Sequence, residues 1–318
     1  MLISVVMPSY NHSRYVMEAA RSVLSQTYQN LELIIIDDGS SDNSVDILRS
    51  IDDPRLRLEV QENRGAHAAI NRGLEIAQGD YLAIINSDDV FDPRRLAECL
   101  RHMDMEQSDF ACTWIRVVDA EGNEKGIKQA WKNMLPSWAS KEKECVYWEG
   151  DDFALNLLSS NFVSTTSNMI FRRSVFESIG GMRNLRFSHD WDFMLRLAPE
   201  FTCSVVPIPL MDYRLHGSNT ISSNRKWMLF EVIWTLAANL HRFEGKNLFG
   251  GQADVAAREA QIRNFANSVH VNDLNKLFWI VSAYIRSRRA DVGDTADTEL
   301  LDDAALRQIF IDMIGDDA

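Results

Sequence analysis

The amino-acid sequence predicts an α/β protein with a doubly wound, mainly parallel sheet and an α-helical C-terminal extension. Apolar runs at Leu31–Ile36 and Tyr81–Ile85 have the length of buried parallel strands. Helical patterns alternate with these runs, as at Ala66–Ala77, which indicates β/α units. Beyond about Ser223 only helical patterns follow. We therefore divide the chain into a domain of residues 1–222, with halves 1–108 and 109–222, and a helical region of residues 223–318.

The remaining elements follow from the same patterns. Further strands are predicted at Leu2–Met7, Arg55–Val60, Phe110–Val118 and Val205–Leu210. Pro207 and Pro209 interrupt the last of these, which places it at a sheet edge, because proline cannot donate a ladder hydrogen bond. Gly79 is expected to end a helix as its C′ residue. The C-terminal helices are predicted at Lys226–Arg242, Val255–Val269, Asp273–Arg289 and Ala304–Ile314.

A long polar segment, Asp119–Trp148, interrupts the regular pattern in the second half of the domain. Long segments without regular structure are often binding loops or lids. This one contains Trp131, Trp138 and Trp148. Each tryptophan either stacks on a ligand such as a sugar ring or pins the loop to the core.

Composition and charge exclude several classes of protein. With 318 residues, of which 46% are hydrophobic and 25% charged, the chain is typical of soluble globular proteins. The net charge of −13 argues against nucleic-acid binding, which requires a basic face. The four cysteines show no C-x-x-C spacing, so neither a zinc site nor a disulfide framework is expected. We find no pattern of a signal peptide or a transmembrane helix and expect a cytoplasmic protein.

Two pairs of aspartates each follow an apolar strand. Asp37 and Asp38 come directly after one strand, and Asp88 and Asp89 come shortly after another. Ligands of open α/β sheets bind outside the carboxyl ends of the strands. Since neither of the usual phosphate-binding glycine motifs is present, we predict that a metal ion bridges these carboxylates to a phosphate-bearing ligand.

The first two hundred or so residues resemble the family 2 glycosyltransferases of the GT-A fold. The resemblance rests on short motifs in a fixed order: Val5-Val-Met-Pro-Ser-Tyr-Asn11, Ser25-Gln-Thr-Tyr28, Asp37-Asp-Gly-Ser-Ser-Asp42, Asn63-Arg-Gly65, Asn71-Arg-Gly73, Gly79-Asp80, Asn86-Ser-Asp-Asp89, His189-Asp190 and Tyr213-Arg-Leu-His216. The family implies transfer of a sugar from a nucleotide-sugar donor with inversion at the anomeric carbon. The Q-x-x-R-W sequence of processive synthases is absent, so transfer of one sugar, or of a few, is expected.

The resemblance also implies roles for individual residues. On the nucleotide side, Asp38 resembles the carboxylate that reads the base, and the loop of Pro8, Ser9, Tyr10 and Asn11 lies beside it. Asp88 resembles the residue that contacts the donor ribose or diphosphate. Arg64 and Arg72 are candidates for the base or phosphate, with surface ion pairing as the alternative for each.

The metal is implied to be Mn²⁺ or Mg²⁺. Asp89 resembles its carboxylate ligand, and His216 resembles the late-chain residue that reaches the metal or diphosphate. Two positions depart from the family pattern, namely Asn86, where the first acidic residue is usual, and His189, where glutamate is common.

The catalytic base is implied to be Asp190. Single-step inversion requires a group that removes the acceptor hydroxyl proton, and Asp190 resembles the family's catalytic aspartate. Its neighbours His189 and Trp191 are candidates for acceptor binding. The alternative for Asp190 is helix N-capping, which does not exclude the catalytic role.

The donor is expected to be a UDP-sugar, with dTDP-sugars second, and the acceptor a glycan or lipid-linked glycan of bacterial surface polysaccharide synthesis. The alternatives are a sugar-nucleotide nucleotidyltransferase and a non-catalytic sugar-nucleotide-binding scaffold. The apolar side of Leu277–Ile285 is interpreted as helix-packing core or a homodimer contact. Because Arg286, Arg288 and Arg289 follow it, peripheral contact with the inner face of the cell membrane is the alternative.

Overall fold

A computed structural model describes residues 1–132, 152–217, 224–246, 248, 255–271 and 273–315. Within these ranges the chain forms two compact units. The sheet unit contains residues 1–132, 162–182 and 201–217. The helical unit contains the described residues of 152–161, 183–200 and 224–315, so it includes chain from before residue 222 as well as after it.

The sheet unit is built on nine strands in the order β3-β2-β1-β4-β8-β6-β9-β5, with β7 paired to β6. The strands are β1 (Ile3–Ser9), β2 (Leu31–Asp37), β3 (Leu56–Val60), β4 (Tyr81–Ile84), β5 (Val90–Phe91), β6 (Phe110–Val118), β7 (Glu124–Lys128), β8 (Ile170–Arg172) and β9 (Cys203–Arg214). Its helices are α1 (Val16–Leu24), α2 (Ser44–Arg49), α3 (Ala66–Ile76), α4 (Arg95–Glu106) and α6 (Arg173–Ile179).

The first half of the sheet is parallel, as the sequence predicts. β1 pairs in parallel with β2 on one side and β4 on the other, and β2 pairs in parallel with β3. Every residue of β1 is buried, as expected for a strand of a parallel sheet that is covered on both faces. The apolar runs therefore lie where continuous hydrophobic strands are required.

The second half of the sheet is mixed. β8 is antiparallel to β4 and β6, whereas β9 is parallel to β6. β7, which pairs antiparallel with β6, lies within the segment predicted as a long irregular excursion, so part of that segment is regular. Trp131 packs edge-on against Phe162 at a ring-centroid distance of 4.9 Å, which ties this end of the segment to the sheet unit. Trp138 and Trp148 lie outside the described residues.

The prediction that the proline-containing strand lies at an edge holds at the two prolines, which have a ladder neighbour only on the β6 side, but not for β9 as a whole. β9 lies between β6 and β5. Its register on β6 jumps from Val206 to Pro209, so the prolines occupy an irregularity in the ladder. β5 pairs with β9 only at Met211 and Asp212, beyond both prolines. The missing N–H groups therefore cost no regular hydrogen bond there.

Gly79 serves a different purpose from the one predicted. α3 ends at Ile76, and Gly79 does not adopt a left-handed conformation. A Cβ atom at this position would lie 2.5 Å from the backbone nitrogen of Ser4 and 2.8 Å from the carbonyl oxygen of Leu2. Glycine is required because the chain passes directly against β1.

The helical unit contains seven α-helices among the described residues. These are α5 (Phe153–Ser159), α7 (His189–Leu197), α8 (Arg225–Asn239), α9 (Val255–Ser268), α10 (Asn275–Val292), α11 (Ala296–Asp302) and α12 (Ala304–Asp312). The four predicted C-terminal helices are present, and α11 is an addition. In the part of the chain described, no helix combines the length and apolar character that crossing a membrane requires.

α10 buries its apolar side within the helical unit. Leu277, Phe278, Val281 and Ile285 are all buried, as the helix-packing interpretation requires. Two of the arginines that suggested a membrane surface are ion-paired within the unit, Arg288 with Glu299 and Arg289 with Asp297.

A buried charge network lies at the centre of the helical unit. Asp192 on α7 is fully buried and contacts Arg183 at 3.1 Å and Arg196 at 3.0 Å. Asn239 on α8 donates a further hydrogen bond to it at 2.9 Å. Burial by itself would raise the pKa of Asp192, but the two arginines outweigh that effect and lower it.

Candidate active site

The carboxyl ends of three adjacent parallel strands meet at one end of the sheet. β1 ends at Ser9 and β2 at Asp37, and these two residues are partners in the ladder. β4, on the other side of β1, ends at Ile84 and is followed by Asn86–Asp89. Since ligands of such sheets bind outside the strand ends, this is the candidate site of the sheet unit.

Asp37 holds the turn that follows β2. Its side chain is fully buried and accepts hydrogen bonds from the Ser40 backbone at 2.8 Å and the Ser40 hydroxyl at 2.7 Å. The Ser9 hydroxyl donates a third at 3.1 Å. Asp37 therefore joins the ends of β1 and β2 and is not directed at a ligand.

Asp38 joins this turn to the loop before α3. One carboxylate oxygen accepts from the Gln61 side chain at 2.7 Å and the Arg64 backbone at 2.9 Å. The other accepts from the Gly65 backbone at 2.8 Å. Gly65 has a φ of +91°, which glycine adopts without strain. Asp38 thereby sets the position of residues 61–65 beside the end of β2.

The loop after β1 is joined to the loop after β2 by Asn11. This residue has a left-handed φ of +53°, and its side-chain oxygen accepts a hydrogen bond from the Ser41 backbone at 2.8 Å. Tyr10, directly before it, is 47% exposed. Pro8 and Ser9 belong to β1 and are buried. The predicted nucleotide loop thus exposes Tyr10 and uses Asn11 as its anchor.

Asp42 strengthens the same contact between loops. It accepts hydrogen bonds from the Ser13 backbone at 2.9 Å and from the Ser44 hydroxyl and backbone. Burial alone would raise the pKa of Asp42, but these hydrogen bonds outweigh it and lower the pKa to about 2. The carboxylate is therefore ionised over the whole physiological pH range.

Two histidines and one aspartate form a compact cluster at the strand ends. His216 Nε2 lies 2.9 Å from Asp88 Oδ2, and His12 Nε2 lies 4.0 Å from the same oxygen. One ligand atom of each residue lies within 4.8 Å of the others. His12 Nδ1 contacts the Ser87 hydroxyl at 2.8 Å, so its Nε2 is the nitrogen that faces Asp88. The Tyr15 ring packs on His216 at a centroid distance of 5.0 Å.

Asp89 lies outside this cluster. Its side chain is 1% exposed and accepts hydrogen bonds from the Ser167 hydroxyl and from the Arg214 backbone, the latter at 3.0 Å. Burial, and to a lesser degree the neighbouring charge of Asp88, raises the pKa of Asp89 well above its ordinary value. Both oxygens are engaged inside the sheet unit, so the structure places Asp88 rather than Asp89 beside the histidines.

Asn86 fixes the loop that carries Asp88. Its backbone donates to the Ser167 hydroxyl at 2.8 Å, and its side chain bonds to the hydroxyls of Thr165 and Thr166 at 3.0 and 2.9 Å. An asparagine can both donate and accept here, which a carboxylate cannot do. The departure from an acidic residue at position 86 therefore has a local structural reason.

Three residues of this site were not predicted: His12, Ser167 and Arg214. His12 follows the predicted Pro8–Asn11 loop directly, so a histidine next to a strand end was the available signal. Arg214 donates to the carbonyl oxygen of Asp88 at 2.9 Å and pairs with Glu18 at 2.8 Å. Arg214 lies within the motif Tyr213-Arg-Leu-His216, but no role was predicted for it, and no local pattern marks Ser167.

The two predicted arginines differ in surroundings. The Arg64 backbone binds Asp38, and its side chain is exposed. Arg72 lies on α3 and is paired at 2.9 Å with Glu59 of β3. Its side chain is 44% exposed, so this pair is the surface ion pair named as the alternative.

The predicted catalytic and acceptor residues lie in the helical unit. Asp190, in the first turn of α7, is 7% exposed and accepts a hydrogen bond from the Asn161 side chain at 3.0 Å. The N-cap position belongs to Ser188 instead. Among the described residues, His189 Nδ1 is buried without a hydrogen-bond partner. Trp191 donates its indole N–H to the Leu157 carbonyl oxygen at 2.9 Å.

Comparison with known proteins gives consistent results. Residues 4–180 match glycosyl transferase family 2. TuaG of Bacillus subtilis, named a teichuronic acid biosynthesis glycosyltransferase, is 31% identical over 76% of this chain and 89% of its own length. Glycosyltransferase GlyG of Streptococcus pneumoniae is 40% identical over 38% of this chain. The match spans less than two thirds of some relatives, 42% of GlyG and 66% of a Nostoc glycosyltransferase.

Two solved structures show the likeness in fold. S. aureus TarS 1–349 in complex with UDP-GlcNAc has a TM-score of 0.57 at 18% identity, covering 93% of this chain and 90% of that one. The mannosyltransferase PcManGT from Pyrobaculum calidifontis, in complex with GDP-Man and Mn²⁺, has a TM-score of 0.53 at 15% identity, covering 97% and 84%. These similarities confirm the predicted fold class.

Proposed function

This chain belongs to glycosyl transferase family 2 and is a glycosyltransferase, and from that premise we propose that it moves a single sugar, with inversion, from a UDP-sugar to a glycan or lipid-linked acceptor. The observation that carries the proposal is the cluster of His12, Asp88 and His216 outside the strand ends of the sheet unit. Such a position and such residue types suit a metal-bound diphosphate.

The donor set fits a divalent cation. Two imidazole nitrogens and one carboxylate oxygen suit Mn²⁺ better than Mg²⁺, which prefers oxygen ligands alone. We therefore assign His12, Asp88 and His216 as the ligands, with Asp88 in the role that was predicted for Asp89. When bound, the cation would offset the charge that develops on the departing nucleoside diphosphate.

The nucleotide side of the site is proposed to be the paired loops after β1 and β2. Asn11 and Asp38 hold these loops and residues 61–65 in place, and Tyr10 is exposed for contact with the nucleotide. A rigid, prearranged set of loops supports binding because little ordering is required when the ligand arrives.

Asp190 is proposed as the general base. In a single inverting displacement the acceptor hydroxyl attacks the anomeric carbon, its proton passes to a base, and the nucleoside diphosphate leaves. The Asn161 side chain and the Trp191 backbone fix the two carboxylate oxygens of Asp190. Such contacts hold the carboxylate in one orientation, which proton transfer requires. His189 and Trp191 are proposed to line the acceptor side.

The choice of donor and setting rests on the relatives. The TarS structure is a complex with UDP-GlcNAc and the PcManGT structure a complex with GDP-Man and Mn²⁺, while TuaG carries teichuronic acid biosynthesis in its name. We therefore place UDP-sugars first, dTDP-sugars second, and the reaction at the inner face of the cell membrane in surface polysaccharide synthesis.

The first experiment is a thermal-shift screen of UDP, dTDP, GDP, CDP and ADP, each with and without Mn²⁺. A ligand at a hundred times its dissociation constant stabilises the folded state by about 2.7 kcal/mol. We expect a shift for UDP that requires Mn²⁺. If no nucleotide shifts the melting of the folded protein, the donor site is refuted.

The second experiment measures UDP release from UDP-sugars. Asp190→Asn should lower turnover by roughly 10²- to 10⁴-fold, as loss of a general base does, and should leave the UDP–Mn²⁺ thermal shift in place. Asp273→Asn, at a side chain that is 97% exposed in the same unit, is the matched control. Unchanged turnover in Asp190→Asn would refute the assignment of the base.

A further inference from the structure

One carboxylate of the helical unit points at the chain just before α7. Glu231 lies on α8 and is 1% exposed. It accepts hydrogen bonds from three consecutive backbone N–H groups, those of Arg186 at 2.9 Å, Phe187 at 2.7 Å and Ser188 at 3.2 Å. Both carboxylate oxygens are used, one by Arg186 and the other by the remaining two.

A second side chain of α8 holds the same segment. Thr235 lies one helical turn after Glu231, so the two share a face of the helix. Its hydroxyl contacts the Ser188 hydroxyl at 2.9 Å, and both residues are buried. Residues 186–188 are thus fastened to α8 by a carboxylate and a hydroxyl.

The three backbone N–H groups require a carboxylate at position 231, and neither an amide nor an apolar side chain could replace it. Three adjacent N–H groups that point inward form a concave anion-binding site. A neutral amide would offer one acceptor oxygen and would turn an N–H₂ group towards at least one backbone donor. An ionised carboxylate is costly to bury without such partners, so a role in packing alone would be better filled by an apolar residue.

Residues 186–188, which α8 holds in place, directly precede the first turn of α7, which carries the proposed base Asp190. Ser188 is the N-cap residue of α7, and Asp190 is two residues further on. The orientation of the first turn of α7, and with it the Asp190 carboxylate, therefore depends on where residues 186–188 are held. Misplacement of a reacting group by about 1 Å can cost roughly 10²-fold in rate.

We propose that Glu231 is a positioning residue for Asp190, acting through the backbone of residues 186–188. The inference rests on the proposed role of Asp190 as the general base. It makes α8, which lies beyond the family match at residues 4–180, part of the catalytic apparatus.

The test compares Glu231→Gln with Glu259→Gln. Glu259 is on α9 in the same unit, and its side chain is 60% exposed. Two readouts are needed: amide hydrogen exchange of residues 183–191, and kcat and KM for UDP release with a UDP-sugar and Mn²⁺. We expect Glu231→Gln to speed exchange at residues 186–188 at least tenfold and to lower kcat roughly 10- to 100-fold. The KM for the donor should stay within about twofold, and Glu259→Gln should change neither readout.

A purely structural role would give a different outcome. If exchange at residues 186–188 rises in Glu231→Gln while kcat is unchanged, or if kcat and the donor KM deteriorate together, the inference is overturned. If Glu231→Gln fails to fold, Thr235→Val supplies the test, since it removes only the contact with the Ser188 hydroxyl. That variant should lower kcat several-fold at normal KM, and an unchanged kcat would overturn the inference.

These outcomes are separable from failure of the proposed function. If Asp190→Asn retains full turnover, the base is elsewhere and the assignment of Asp190 fails first. If Asp190→Asn loses turnover and Glu231→Gln does not, the base stands and only the positioning role fails.

Discussion

Asp88 and Asp89 are adjacent in sequence but differ in their surroundings, and we propose separate roles for them that a pair of asparagine substitutions should distinguish. Asp88 faces two histidines at the strand ends, whereas Asp89 is engaged by Ser167 and Arg214 inside the sheet unit. Asp89→Asn should therefore reduce stability, and Asp88→Asn should reduce metal-dependent nucleotide binding.

The size of each effect follows from the contacts. In Asp89→Asn one of the two donors meets an N–H₂ group instead of an oxygen, and an unsatisfied buried donor costs about 1–3 kcal/mol. At roughly 2 °C per kcal/mol for a chain of this size, the melting temperature should fall by roughly 2–6 °C. Asp88→Asn removes a proposed metal ligand, which should weaken Mn²⁺-dependent UDP binding by at least roughly 10- to 100-fold, the effect of losing an outer-shell partner.

The loss of stability and the loss of nucleotide binding can both be measured by thermal unfolding. The melting temperature is recorded without ligand, and the shift is then recorded over a UDP titration at fixed Mn²⁺. Asp88→Asn should melt near the wild-type temperature without ligand, because removal of the negative charge beside the buried Asp89 offsets the weakened contact with His216. Asp89→Asn should melt lower and retain the Mn²⁺-dependent shift.

The opposite pattern would refute this division of roles. If Asp89→Asn keeps the wild-type melting temperature and loses the Mn²⁺-dependent shift, Asp89 is the metal ligand, as the family resemblance implied. If Asp88→Asn binds UDP with Mn²⁺ as tightly as the wild type, the cluster with His12 and His216 is not the metal site.

Three further substitutions test the fold. Asp192→Asn removes the charge that pairs with the buried Arg196 and with Arg183 and should lower the free energy of unfolding by about 3–5 kcal/mol in urea titrations; no loss would contradict the buried network. Gly79→Ala places a methyl group against the Ser4 backbone and should cost about 1–3 kcal/mol, whereas Gly245→Ala, with open space around it, should cost far less. The pKa of Asp42 is lowered on folding, so its carboxylate stabilises the protein above pH 3.8, and this contribution disappears as the pH falls towards 2. In urea titrations from pH 5 to pH 2, Asp42→Asn should weaken this pH dependence by about 1 kcal/mol after allowance for solvent screening, and an unchanged pH profile would contradict the assignment.

Local patterns in the sequence determined the parallel half of the sheet, most helices and the strand ends at which the candidate site lies. A buried strand needs a continuous apolar run, and β1, β2 and β4 each carry one that ends within a residue or two of its predicted limit. The polar residues that follow such runs must lie at the strand ends, so Asp38, Asp88 and the Pro8–Asn11 loop were predicted at or beside these ends, where they lie in the structure. His216 was assigned to the same site only because of the family resemblance.

Only the tertiary structure decided which of these side chains meet. Adjacent residues such as Asp88 and Asp89 point in different directions, and the partner that each finds depends on segments far along the chain. Ser167 and Arg214 engage Asp89, while His12 and His216 approach Asp88 from opposite ends of the sheet unit's sequence. Two further features depend on pairings between residues that are far apart in the sequence. These are the irregularity of β9 at Pro207 and the hydrogen bonds from the backbone of residues 186–188 to Glu231. The hydrophobic periodicity of the sequence indicates whether a side chain is buried. Its hydrogen-bond partner depends on which distant segments pack against it.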